Sequence, residues 1–136
     1  MYEDAIRKRH SVTLLYVHLV FTTKYRRRVL TGQHIEDLSW AFKHVCAKHG
    51  CELEQFDGER DHVHLLVKYP PRISVSWLAN QLKATGSRRL RGLHPDLRRL
   101  SKSSALWSRS YFPCSAGGAP IEVLRQYIEQ QETPPG

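Results

Sequence analysis

Two histidines stand two residues apart in DHVHLLV, Asp61 to Val67, directly behind an aspartate. In a β-strand, side chains alternate between faces, so His62 and His64 share one face and Val63 points away. Two imidazoles held close together on a rigid face are a natural pair of metal ligands; on the spacing alone, two polar residues on a wet face is the simpler reading. A catalytic metal needs a third protein ligand and open positions. The C-terminal segment offers one. Tyr127 and Gln131 lie four residues apart, so on a helix they stack on one face, flanking the apolar stripe of Ile121, Leu124 and Ile128. Taken alone, that segment is an amphipathic helix with a half-buried tyrosine and a solvated glutamine. Packed near the histidine strand, it would add a carboxamide oxygen and a phenol beside a cation. A free phenol, with a pKa near ~10, is a poor nucleophile. A neighbouring cation favours its ionised form and polarises a phosphate oxygen, a combination suited to phosphoryl transfer onto tyrosine. Asp61 either supports the site from behind a ligand or serves the turn before the strand, and both readings stay open.

The elements that must position these groups are legible along the chain. Ser11 to Lys24, SVTLLYVHLVFTTK, is β-branched and aromatic and predicts a strand buried on both faces. The basic KYRRRVL follows. Thr31 or a neighbour caps a helix running to His49, in which Ile35, Leu38, Phe42 and Val45 recur at helical spacing and which Gly50 ends. CELEQFD and DHVHLLVKY make an antiparallel hairpin with Gly58 in its turn, stopped by Pro70 and Pro71. A second helix starts near Ser74, carries Trp77, Leu78 and Leu82, and runs to about Leu90, with Gly86 weakening its later half. Residues 91–106 form a basic, leucine-dotted connector with no assigned structure. LWSRSYFPC predicts a fourth strand, SAGG (Ser115 to Gly118) a flexible joint, and Pro120 the first turn of the last helix. The order βαββαβα predicts an antiparallel sheet with helices packed on it, an α+β fold, in one domain spanning 1–136 with loosely held tails at 1–10 and 132–136.

Composition narrows the partner. Among 136 residues, 21 Lys and Arg against 13 Asp and Glu leave a net charge of +8, clustered rather than spread, which favours a polyanion, most simply nucleic acid. Cys46, Cys51 and Cys114 form no CxxC pair, which argues against a disulfide framework or a cysteine zinc site and points to a reducing cytoplasm. No stretch reads as a signal peptide, and no apolar run approaches the ~20 residues of a membrane span.

DHVHLLV resembles the His-hydrophobe-His motif of HUH endonucleases. With one downstream tyrosine in a YxxxQ arrangement and so short a chain, the sequence resembles the single-tyrosine, TnpA-like HUH transposases of small bacterial insertion sequences. HLVFTTKYRRRVL, WLANQLKATGSRRLR and LWSRSYF carry the resemblance further, from about residue 14 to 131. Two stretches depart from the family pattern: LKATGSRRL, where the family often reads LKGxSSRxL, and PCSAGG before the last helix.

The resemblance implies a ferredoxin- or RRM-like palm. In it His62, His64 and Gln131 bind Mg²⁺ or Mn²⁺, and Tyr127 attacks single-stranded DNA to form a 5′-phosphotyrosine. Softness alone would favour a transition metal on two imidazoles; mixed nitrogen and oxygen ligation suits Mn²⁺ well and Mg²⁺ more loosely. The basic residues Lys24, Arg26, Arg27, Arg28, Lys83, Arg88, Arg89 and Arg91 are candidates for phosphate contacts, with Tyr25, Trp77 or Trp107 available to stack on bases or, for the tryptophans, to fill the core. The resemblance further implies DNA hairpins as partners and a homodimer with composite active sites hinged at Gly117 and Gly118. A domesticated nuclease acting on repeated genomic hairpins would carry the same residues. A replication-initiator nuclease would need further domains. A non-catalytic basic nucleic-acid-binding module would carry its histidines incidentally.

Overall fold

In the computed structural model, β1 (Leu15–Thr22) lies at the middle of the sheet, and its burial follows its composition. Leu15 and Tyr16 are exposed, while Val17 through Thr22 are buried on both faces. The structure describes residues 14–100, 106–109 and 111–115. The strand is shorter than the β-rich stretch predicts. Lys24–Arg26 close into a single 3₁₀ turn in which Tyr25 and Arg26 take positive φ (59° and 53°), ending the extended run.

Helix α1 (Gly32–Lys48) begins as expected. Thr31 Oγ1 accepts from the His34 backbone N–H, and His34 Nδ1 lies 3.0 Å from the Thr31 backbone nitrogen, a reciprocal cap. Its buried residues Leu38, Ala41, Phe42, Val45 and Cys46 repeat at helical spacing, and Gly50 follows with φ 72°, the left-handed conformation that favours glycine after a helix. Cys46 and Cys51 are buried free thiols, and burial pushes Cys46 up to about 12, out of the reactive range.

The hairpin forms from β2 (Glu52–Gly58) and β3 (His62–Tyr69), with Gly58 closing β2 rather than occupying the turn. Helix α2 (Val75–Leu93) is capped by Ser74 and continues past Gly86. That glycine is buried at the crossing with α1. A Cβ there would lie 2.9 Å from Leu38 Cδ2 and 3.0 Å from Phe42 Cε1, so the missing side chain is what lets the two helices close. The unassigned connector contains a short helix α3 (Pro95–Leu100), which begins at a proline, the residue best suited to a first helical position. The fourth strand, β4 (Phe112–Ser115), starts later than predicted; Trp107 makes only an isolated bridge to Thr23.

The four strands are antiparallel in the order β2-β3-β1-β4. That order, with α1 between β1 and β2 and α2 between β3 and β4, is the ferredoxin-like α+β arrangement. Both helices cover one face. Val17, Leu19 and Phe21 of β1 and Val63, Leu65 and Val67 of β3 join Leu38, Phe42, Leu78 and Leu82 in one core, with Phe21 edge-on to Phe42 at 6.0 Å. The alternation of β3 therefore turns His62 and His64 to the opposite face. The last helix, Gly117, Gly118 and the two tails lie outside the described residues.

Candidate functional site

Register builds the histidine face. Val20 of β1 stands opposite His64 and Thr22 opposite His62, so these four share a face, with His18 two residues before Val20 on the same side. All are buried, His64 at 2% exposure and His62 at 8%. The two imidazoles meet edge to face with centroids 4.9 Å apart, as the spacing predicts for a strand. Burial first, then the neighbouring His62 and His18 imidazoles, pulls His64 down to about 4, so it is neutral at neutral pH. Burial also lowers His18.

Asp61 belongs to this pair. Its Oδ1 lies 2.7 Å from His62 Nδ1, and its Oδ2 takes a hydrogen bond from Arg26 Nη2 at 3.2 Å. An ionised carboxylate only accepts, so Nδ1 carries the proton and Nε2 of His62 presents its lone pair. This is the way a ligating histidine is oriented from behind. The strained 3₁₀ turn is held in place here: Thr23 donates its backbone N–H to the Asp61 carbonyl (2.9 Å) and its hydroxyl to the Arg27 carbonyl (2.8 Å). Sequence reasoning named Asp61 without deciding its role. It did not single out His18, whose signal was a lone imidazole inside an apolar strand, or assign Arg26 to the carboxylate.

His62 Nε2 and both nitrogens of His64 are buried with no hydrogen-bond partner among the described residues. A buried polar atom left unpaired costs ~1–3 kcal/mol, so three in one place need a partner from outside the described structure. The His62 Nε2 lone pair and one nitrogen of the neutral His64 ring would fit a divalent cation. His62 and His64 are the described residues that would hold it. Tyr127 and Gln131 lie outside the described residues.

The predicted nucleic-acid residues separate by surroundings. Arg27, Arg28 and Arg88 are exposed. Tyr25 is 74% exposed, with Lys24 and Arg27 stacked on its ring at 5.5 and 5.3 Å, a cationic aromatic platform at the end of β1. Arg26 is committed to Asp61. Lys83 donates to the carbonyls of Ser108 (2.7 Å) and Arg109 (3.2 Å), and Arg89 donates to the Asp37 carbonyl at 3.0 Å and lies 4.0 Å over Trp40. Arg91, half-buried, lies in the last turn of α2. Trp107 is core, its indole N–H donating to the Lys83 carbonyl at 3.1 Å, whereas Trp77 is 39% exposed.

Comparison with known proteins agrees with this geometry. Residues 11–131 match the profile of the family described as "Transposase IS200 like". The chain is 29% identical over 123 residues to the ISDra2 transposase TnpA of Deinococcus radiodurans, covering 90% of this chain and 88% of that protein. It is 27% identical over 114 residues to the transposase of insertion sequence IS200 from Salmonella typhimurium, covering 84% and 74%. A crystal structure of a transposase from Deinococcus radiodurans R1 superposes with a TM-score of 0.77 at 29% identity, over 87% of this chain and 91% of that one. The REP-associated tyrosine transposase bound to a REP hairpin shares the fold, with a TM-score of 0.51 at 14% identity over 85% of this chain and 62% of that one.

Proposed function

The chain belongs to the IS200-like transposase family and is a DNA transposase, and on that premise we propose that it cuts and rejoins single-stranded DNA at hairpin-bearing ends through a covalent phosphotyrosine. The observation that carries this reading is the set of buried imidazole nitrogens on His62 and His64 that have no partner among the described residues, with His62 oriented by Asp61. With Gln131 they would hold Mg²⁺ or Mn²⁺, which when bound would polarise a phosphate oxygen and favour the ionised phenol.

Tyr127 Oη attacks the scissile phosphorus. An O–P bond to tyrosine forms, the bond to the 3′ oxygen breaks, the phenol proton leaves, and the 3′ oxygen takes up a proton to become a free 3′-OH. The reverse attack by another 3′-OH restores a phosphodiester and a free tyrosine, so each bond energy is conserved and no nucleotide cofactor is consumed. Exposed Arg27, Arg28 and Arg88, with the Tyr25 platform, supply the phosphate and stacking contacts. The structural neighbour bound to a REP hairpin supports hairpin DNA as the substrate class.

The test is a labelled single-stranded hairpin incubated with Mg²⁺. An adduct that survives SDS is expected from the native protein and none from Tyr127→Phe, with hairpin binding kept because the basic surface is intact. An adduct from the Phe variant would remove Tyr127 as nucleophile.

We further propose a homodimer whose sites pair one protomer's histidines with its partner's tyrosine helix. A helix of about eleven residues is marginal alone and must dock. Mixing inactive His64→Ala with inactive Tyr127→Phe under subunit exchange then restores about a quarter of native cleavage, since half of randomly paired dimers are mixed and each holds one intact site of two. No recovery with exchange verified places each site within one chain.

A further inference from the structure

A second group of ligand-type side chains lies away from the β3 face. His34 is in the first turn of α1, His94 caps the C-terminus of α2, and Asp96 is in the first turn of α3. Among the described residues these three offer ligand atoms that all lie within 4.8 Å of one another. His34 Nε2 is 3.7 Å from Asp96 Oδ2, and the two rings meet edge to face with centroids 4.3 Å apart. We propose that His34, His94 and Asp96 form a second metal site, suited to Zn²⁺, that clamps the start of α1 to the α2–α3 corner.

The surroundings are those of a ligand set. His94 Nε2 lies 2.6 Å from Asp37 Oδ2, so it carries the proton toward that carboxylate and leaves Nδ1 with its lone pair. A carboxylate behind a histidine is the arrangement that fixes a ligand's tautomer and raises its basicity. His34 Nδ1 sits 3.1 Å from the Val29 carbonyl and 3.0 Å from the Thr31 backbone nitrogen. One nitrogen cannot donate to the first and accept from the second at once. A metal on Nε2 selects the tautomer that donates to Val29, and Thr31 Oγ1 continues to cap the helix.

The donor types choose the ion. Two imidazoles and one carboxylate, with a water completing a tetrahedron, suit Zn²⁺; Mg²⁺ prefers oxygen throughout. Bonds of ~2.0–2.1 Å in a tetrahedron place donors ~3.3–3.5 Å apart. The His34–Asp96 separation of 3.7 Å is near this, and the Asp96 side chain, 55% exposed, is free to close the remainder and leaves a face for water. His34, at 3% exposure, is rigidly held. With Asp37 and Asp96 carrying two negative charges and Arg89 3.7 Å from Asp37, the cluster is net acidic in a chain of net charge +8. The signal was present in the sequence as His94-Pro95-Asp96, but its partner His34 is sixty residues away.

The probe is Zn²⁺ alone, titrated into the EDTA-stripped full-length chain, with Co²⁺ as a visible reporter of tetrahedral ligation. Asp96→Asn removes the charge of an exposed residue. It should weaken one equivalent of Zn²⁺ roughly tenfold or more, abolish the tetrahedral Co²⁺ absorption, and remove the Zn²⁺-dependent rise in melting temperature. His94→Ala should do the same. His62→Ala with His64→Ala should keep that equivalent and its spectrum. Zn²⁺ binding and Co²⁺ spectrum unchanged in Asp96→Asn, or lost only in the His62/His64 variant, would overturn the proposal. If His94→Ala does not fold, Asp96→Asn decides alone.

Discussion

The two histidine pairs of this molecule have nearly the same ring geometry and opposite surroundings. His62 and His64 meet at 4.9 Å and 76°, His34 and His94 at 4.3 Å and 89°. On the strand, one nitrogen is bound to Asp61 and three are buried without partners among the described residues. Between the helices, His34 Nδ1 lies within reach of both the Val29 carbonyl and the Thr31 N–H, one of which it engages in each tautomer, and His94 Nε2 is engaged by Asp37. The difference separates a site that depends on something arriving from one that holds its shape with its own groups. A sheet face fixes side chains without regard to their hydrogen bonds, because the backbone ladder supplies the stability. At the helix ends the same ring type is recruited to satisfy caps and carboxylates, so a metal there would add to an existing network.

The sharpest way to break this comparison is to remove one ring from each pair. His64→Ala should reduce metal-dependent cleavage at least about a hundredfold, as EDTA should do to the native protein, because a proposed ligand of the metal is lost outright. His94→Ala should leave cleavage within a few-fold. Equal losses in a cleavage assay would erase the distinction. Next in size, Asp61→Asn keeps the shape behind His62 but loses the charge. Metal affinity at the β3 site should drop about 10–100-fold, with cleavage rescued at raised Mn²⁺. Unchanged metal dependence would reduce Asp61 to turn chemistry.

The smallest effect concerns stability in metal-free buffer. The hydrogen bond from His94, then the one from Gln33, holds Asp37 below its ordinary 3.8 despite the opposing cost of burial. A carboxylate depressed in the folded state contributes stability above its unfolded value, and that contribution is lost as pH falls through the folded one. Asp37→Asn should therefore melt lower than the native protein at neutral pH, with the gap closing below about pH 4. A gap that persists in acid would mean that Asp37 acts through packing.

Much of the scaffold was legible because its determinants are local. The Thr31 cap, the periodic α1 stripe, Gly50 and the β2–β3 hairpin each depend on residues within a few positions of one another. Residues 91–106 were not, since α3 has only six residues and too little periodicity to detect. The packing role of Gly86 was hidden for a related reason: propensity counts its cost in an isolated helix and does not see Leu38 and Phe42 across the interface. The basic residues looked equivalent in sequence, yet Lys83 and Arg89 bind carbonyls 25 and 52 residues away, while Arg27, Arg28 and Arg88 face solvent.

By itself the sequence determined that His62 and His64 share a face, since alternation is a property of any strand, and its motifs determined the family resemblance. Only the tertiary structure decided that this face lies opposite the helices, that Asp61 and Arg26 orient His62, and that His34 meets His94 and Asp96. The reason is reach. Backbone sterics and side-chain periodicity act over one turn or one strand repeat. The partner of a polar group is chosen when distant segments close on one another, and burial then makes every unmatched donor or acceptor costly.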